Sequence, residues 1–117
     1  IVLIDKNLFR NMTNLKTLDL SYNQLNYLTE KVFLALKNLK ELDLSHNFLT
    51  SIQSNLFSNL ICLEKLDLSQ NRLIHINSGV FFTLANLKTL NLGLNFINST
   101  GKLAFRSLKN LQTLILN

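Results

Sequence analysis

Apolar and polar positions along this chain follow two nested periods. In the short one, leucines stand two apart around a polar residue, as in Leu18-Asp19-Leu20, Leu42-Asp43-Leu44 and Leu66-Asp67-Leu68. A period of two places both leucines on one face of a β-strand and the aspartate on the other. In the long one, the phrase returns every 24 residues. Leu15, Leu39, Leu63, Leu87 and Leu111 open it, and Asn23, Asn47, Asn71 and Asn95 follow each of the first four strands. A period in the twenties signals a solenoid, in which each coil hides its leucines only by stacking on its neighbours. The pattern predicts strands at residues 18–20, 42–44, 66–68, 90–92 and 114–116, all running in one sense. Same-sense strands need crossover connections, and these are right-handed.

Two other positions keep the same step. The asparagine after each strand can bond the backbone of neighbouring coils, satisfying groups that stacking would otherwise strand. Phe9, Phe33, Phe57, Phe81 and Phe105 read as a spine filling the opposite side. The segments carrying them are too short for a long helix, so extended chain with 3₁₀ turns is expected there.

The phrase L-x-x-L-x-L-x-x-N-x-L resembles the leucine-rich repeat family, over the whole chain and in five copies. The unit F-x-x-L-x-x-L, as in residues 81–87, is similar to the subclass found in Toll-like receptors and lamprey variable lymphocyte receptors. The resemblance implies an α/β class: a right-handed solenoid or horseshoe, with a parallel sheet on the concave face and 3₁₀ or extended segments on the convex face. It also implies a segment of an extracellular or cell-surface receptor, a glycoprotein that binds a protein or other macromolecular ligand in innate immune signalling. The alternative is a secreted or intracellular scaffold or adhesin of the same fold. Residues 1–117 form one array of about five repeats. Ile1 and Ile4 fall where Leu25 and Leu28 do, and Asn117 falls where Ser21 does. The array is therefore expected to be an uncapped piece of a longer ectodomain, with end faces open to self-association. In the fourth repeat, Gly93-Leu94 and Thr100 depart from the pattern and predict a local bend or contact patch.

Composition adds limits. The chain is 47% apolar and holds no proline, so burial is ample and disorder is not expected. No apolar run approaches the roughly eighteen residues of a membrane span, which leaves membrane contact to segments outside this chain. The net charge is +5, but the lysines and arginines are scattered without an aromatic platform, which argues against nucleic acid. The single Cys62 excludes a disulfide framework within the chain, and no cofactor is implied.

Asp43, Ser45 and His46 invite comparison with a catalytic triad, but neighbours on one strand do not converge as a nucleophilic relay must. The candidate chemistry is therefore binding. Outward positions of the concave face are Thr17, Glu41 and Lys65, beside the like-charge column Asp19, Asp43 and Asp67. A partner docking there is expected to present basic or hydrogen-bonding groups and to bind less tightly as salt rises. Flanking each asparagine are positions that vary while their neighbours do not: Tyr22, His46, Gln70 and Leu94 before it, Phe48 and Arg72 among those after it. Tyrosine, phenylalanine and arginine are common interface anchors. Two N-glycosylation sequons occur. Asn98 looks well placed for modification, whereas Asn11 precedes the core position Met12 in a tight turn.

Overall fold

A computed structural model describes residues 2–117; Ile1 lies outside the described residues. The strands β1 (Thr17–Asp19), β2 (Glu41–Asp43), β3 (Lys65–Asp67), β5 (Thr89–Asn91) and β7 (Thr113–Ile115) form one parallel sheet in that order. Two shorter strands, β4 (His75–Ile76) and β6 (Ser99–Thr100), form a second parallel pair. The register never slips: Leu18 lies beside Leu42, Leu42 beside Leu66, Leu66 beside Leu90 and Leu90 beside Leu114. The result is a solenoid of parallel strands, about four turns long. Each strand starts and stops one residue earlier than the leucine pairs predict. The ladder nevertheless continues past it, with the Leu20, Leu44 and Leu68 amides bonding the next coil at 2.9, 2.8 and 2.8 Å.

The core follows the fixed letters of the repeat. Leu42, Leu66 and Leu90 are buried, as are Leu44, Leu68 and Leu92. Phe9 stacks on Phe33 at 6.2 Å between ring centroids, Phe57 on Phe81 at 6.3 Å and Phe81 on Phe105 at 6.1 Å. On the convex side, the helical layer of an α/β layout is reduced to strings of tight turns. Amides bond carbonyls three residues back, as Met12 does to Phe9 (3.0 Å), Leu36 to Phe33 (3.1 Å) and Leu60 to Phe57 (3.0 Å). No helix among the described residues is long and apolar enough to cross a membrane.

The asparagine ladder is built as the sequence predicts. Asn71 Oδ1 accepts the Leu49 amide at 3.0 Å, while its Nδ2 donates to the Leu44 carbonyl of the preceding coil and to Leu68 and Ser69 of its own. Asn47 and Asn95 repeat the arrangement. A second ladder joins the coils just ahead of the strands, where Asn38, Asn86 and Asn110 donate to the Thr13, Ile61 and Ala85 carbonyls at 2.8, 2.8 and 2.7 Å. Cys62 stands at that position in the third coil and interrupts the series.

The fourth coil is regular, contrary to the expectation of a bend. The Gly93 amide bonds Asn91 Oδ1 at 3.0 Å, as the Ser45 and Ser69 amides bond Asp43 and Asp67. Thr100, exposed, pairs with Ile76 in the second sheet. Met12 is exposed rather than buried, and Asn11 is exposed too.

Candidate ligand-binding face

The concave sheet presents the outward residues in two columns. Thr17, Glu41, Lys65 and Thr89 lie side by side, as do Asp19, Asp43, Asp67 and Asn91, around a shallow hollow of about 340 Å³. Each aspartate also has a structural task at the end of its own strand. One carboxylate oxygen of each accepts the amide two residues on: Ser21 at 2.9 Å, Ser45 at 2.8 Å and Ser69 at 2.8 Å. The Ser21 hydroxyl adds a bond of 2.6 Å to Asp19, and this bond, followed by the Ser21 amide, holds the Asp19 carboxyl below the usual carboxylate range. Asn91 Nδ2 donates to the other Asp67 oxygen at 3.3 Å. Glu41 is paired with Lys65 at 3.1 Å. Much of the acidic column is therefore turn structure, short side chains bonding local backbone where the strand must stop.

The corner that follows exposes a different set. Tyr22, His46, Gln70 and Leu94 all have left-handed φ, at 55°, 54°, 53° and 55°. That conformation costs a residue other than glycine about 1–2 kcal/mol, and the coil-to-coil ladder pays it at every turn: the Tyr22, His46 and Gln70 amides still bond the next coil at 3.1, 3.0 and 2.9 Å. The strain belongs to the repeat, but the side chains are not fixed by it. The Tyr22 ring stacks on the His46 imidazole at 3.9 Å, and the Gln70 side-chain amide lies 2.9 Å from His46 Nε2. Outside this column, Arg72 lies 4.2 Å over the Phe48 ring. Tyr22 is 74% exposed, Leu94 65% and Phe96 68%.

The triad comparison dissolves in the geometry. Asp43 bonds backbone, Ser45 is buried and His46 is engaged by Tyr22 and Gln70. The sequence marks Tyr22, His46, Gln70, Leu94, Phe48 and Arg72 here, but not the uncharged flank around them, with Tyr27 and Ile74. Residues 21–29, 45–53, 69–77 and 93–101 contain one charged side chain, Arg72. Tyr27, Phe48, Ile74 and Phe96 are exposed there. Counting charge by repeat position would have found it. No group of three or more His, Cys, Asp or Glu among the described residues is placed to hold a metal.

The profile of the BspA type leucine rich repeat region matches residues 2–117 in six copies. The chain belongs to the leucine-rich repeat family. No curated protein sequence matches it. Among solved structures, this repeat array is similar to that in the Toll–Spatzle complex, described as a molecular hub in Drosophila development and innate immunity. Identity is 32% with a TM-score of 0.97, over 99% of this chain and 15% of that one. The glycosylated form of that complex gives 32% and 0.94 over 97% and 15%. The TLR13–ssRNA13 complex gives 35% and 0.93, over 99% of this chain and 16% of that one. The leucine-rich repeat chain thus spans about a sixth of the length of the receptors it matches.

Proposed function

We propose that the chain is a ligand-display stretch of an extracellular or lumen-facing receptor ectodomain of the Toll-like kind, and that it binds a protein partner. The contact centres on Tyr22, His46 and Gln70 and runs onto the uncharged flank with Phe48, Arg72 and Leu94. The observation that carries this reading is that one flank of the solenoid holds a single charged side chain, Arg72, and exposes Tyr22, Tyr27, Phe48 and Phe96. Protein interfaces have that composition at their centre: aromatic residues and arginine enriched, other charges depleted. The stacked Tyr22–His46–Gln70 column is also preorganised, so little side-chain freedom is lost on contact. Toll bound to Spatzle is the protein-bound relative in fold.

The TLR13 complex contains RNA, but the cations of this face, Arg72 and the Glu41-paired Lys65, are few and stand beside carboxylates that repel phosphates. Thr17, Glu41, Lys65 and the aspartates form the edge of the contact, and salt affects its affinity only modestly. Asn98 and Asn11, both exposed, would accept N-glycans in a secretory compartment.

A photoreactive amino acid placed at Tyr22 or at His46 in the full-length protein should cross-link to a protein partner, and one at Lys31 on the convex side should not. Tyr22→Ala with His46→Ala should then weaken that partner's affinity by roughly tenfold or more, with the melting temperature unchanged. Cross-linking from Lys31 and not from the column would place the contact on the other face.

A further inference from the structure

The convex side of the last two coils carries an apolar hollow that the face above does not account for. Phe82 is 73% exposed and Leu103 48%. With Gly79 and Ala85 they line an open recess of about 540 Å³. Their exposure belongs to their positions in the repeat. Asn7, Lys31 and Asn55 stand where Leu103 does and are exposed, as are Arg10 and Leu34 where Phe82 does, while Ser58 at that position is partly covered. Nothing in the coil's packing asks for apolar groups there. Gly79 contributes by being small. It does not have a left-handed φ, and a Cβ on it would meet nothing within 4 Å. Neither the backbone nor the packing demands glycine, but a side chain would intrude on the recess.

Charge is distributed to match. Residues 1–67 hold seven Lys or Arg and seven Asp or Glu, whereas residues 68–117 hold five Lys or Arg and no acid. The whole net charge of +5 thus resides in the second part. Of its five cations, Lys88 is paired with Glu64 at 3.3 Å and Arg72 lies over Phe48. Arg106 and Lys109 line the recess, and Lys102 adjoins Leu103 in sequence. None of these three has an ion-pair partner among the described residues.

We propose that this recess is a second docking site, for an acidic protein segment that seats one apolar side chain between Phe82 and Leu103 and sets its carboxylates against Arg106 and Lys109. The apolar anchor supplies affinity by burying its surface against Phe82 and Leu103. The cations supply orientation and attraction, and the Arg106 guanidinium can take a carboxylate through two parallel bonds. A nucleic acid would satisfy the cations and leave the apolar floor unfilled. A second copy of this chain would have to bring its acids from residues 5–67, where as many cations accompany them.

The test uses a short fluorescein-labelled peptide, a Leu-Phe pair flanked by glutamates, titrated into the protein and followed by anisotropy. Binding should saturate and weaken as sodium chloride is raised. The double variant Arg106→Glu/Lys109→Glu should lose about tenfold or more in affinity. Gly79→Leu, which fills the recess, and Phe82→Ser should each cause a comparable loss. Leu34→Ser, in the hollow with Lys6, Arg10 and Lys31 at the other end of the convex side, should not. All these positions are exposed, so the melting temperature should hold. Lys109→Gln serves if a reversal variant does not fold. Equal affinity for a peptide with serines at the anchor would overturn the proposal, because charge alone would then explain binding. So would failure of the peptide alongside binding of single-stranded RNA, of phosphatidylserine vesicles, or of a second copy seen as a dimer that Phe82→Ser dissolves.

Discussion

Asparagine does at residue scale what no apolar side chain of its size can do. Asn71 ties the Leu49 amide to the Leu44 and Leu68 carbonyls inside the stack. Asn71→Leu keeps the branching at Cγ and strands the buried Leu49 amide, at a cost of about 1–3 kcal/mol. Cys62 offers the opposite experiment. Asn38, Asn86 and Asn110 each reach a carbonyl 25 residues back, and from Cys62 that residue is Lys37. Cys62→Asn should complete the outer ladder and gain about 0.5–1.5 kcal/mol. Thermal melts of the two variants check both signs: the first should melt below the parent protein and the second above it.

At the scale of elements, spacing between coils decides what is tolerated. Gly101 follows β6, and its amide bonds the Ile76 carbonyl at 2.6 Å. A Cβ there would collide with the Ser78 hydroxyl oxygen and amide nitrogen and lie 2.8 Å from Ser78 Cα. Since backbone cannot swing aside as a side chain does, Gly101→Ala should pry β6 from β4 and cost about 1–3 kcal/mol. Gly79→Ala meets no atom and should be neutral or gain up to about 1 kcal/mol by narrowing the unfolded ensemble. Equal effects in a urea titration would contradict this account of the second sheet. That sheet was not visible in the sequence reading. His75-Ile76 and Ser99-Thr100 lack the leucine alternation, and they pair because the main sheet has already set the coils at strand-pairing distance.

Over the whole molecule, stability is a sum of coils and the contacts between neighbours. A residue covered on both sides should therefore matter more than its counterpart at an end. Leu66→Ala in the middle coil should cost about 2–5 kcal/mol. Leu18→Ala, at a position only partly buried, should cost clearly less. Lys65→Ala removes only an exposed ion pair with Glu41 and should stay within about 1 kcal/mol. Chemical denaturation of the three variants gives the order directly, and a Leu18 loss equal to that at Leu66 would rule out nearest-neighbour additivity.

The sequence by itself determined the architecture, because a 24-residue period repeats every core decision and leaves little room for another register. Leu18, Leu42, Leu66, Leu90 and Leu114 announced the sheet, Asn23, Asn47, Asn71 and Asn95 the ladder, and the five phenylalanines the spine. Asp19, Asp43 and Asp67 were legible as a column but not as caps, since a letter shows a carboxylate and not the amide that occupies it. Likewise Tyr22, His46, Gln70 and Leu94 stood out as variable, whereas their left-handed backbone did not, because four unlike residues share no propensity for it. The stacking of Tyr22 on His46 and the recess beside Phe82 depend on residues 24 and 21 apart meeting across coils. Period fixes which positions become neighbours. Only the tertiary structure decides the distance and angle at which their side chains meet, because these depend on the curvature and twist of the stack.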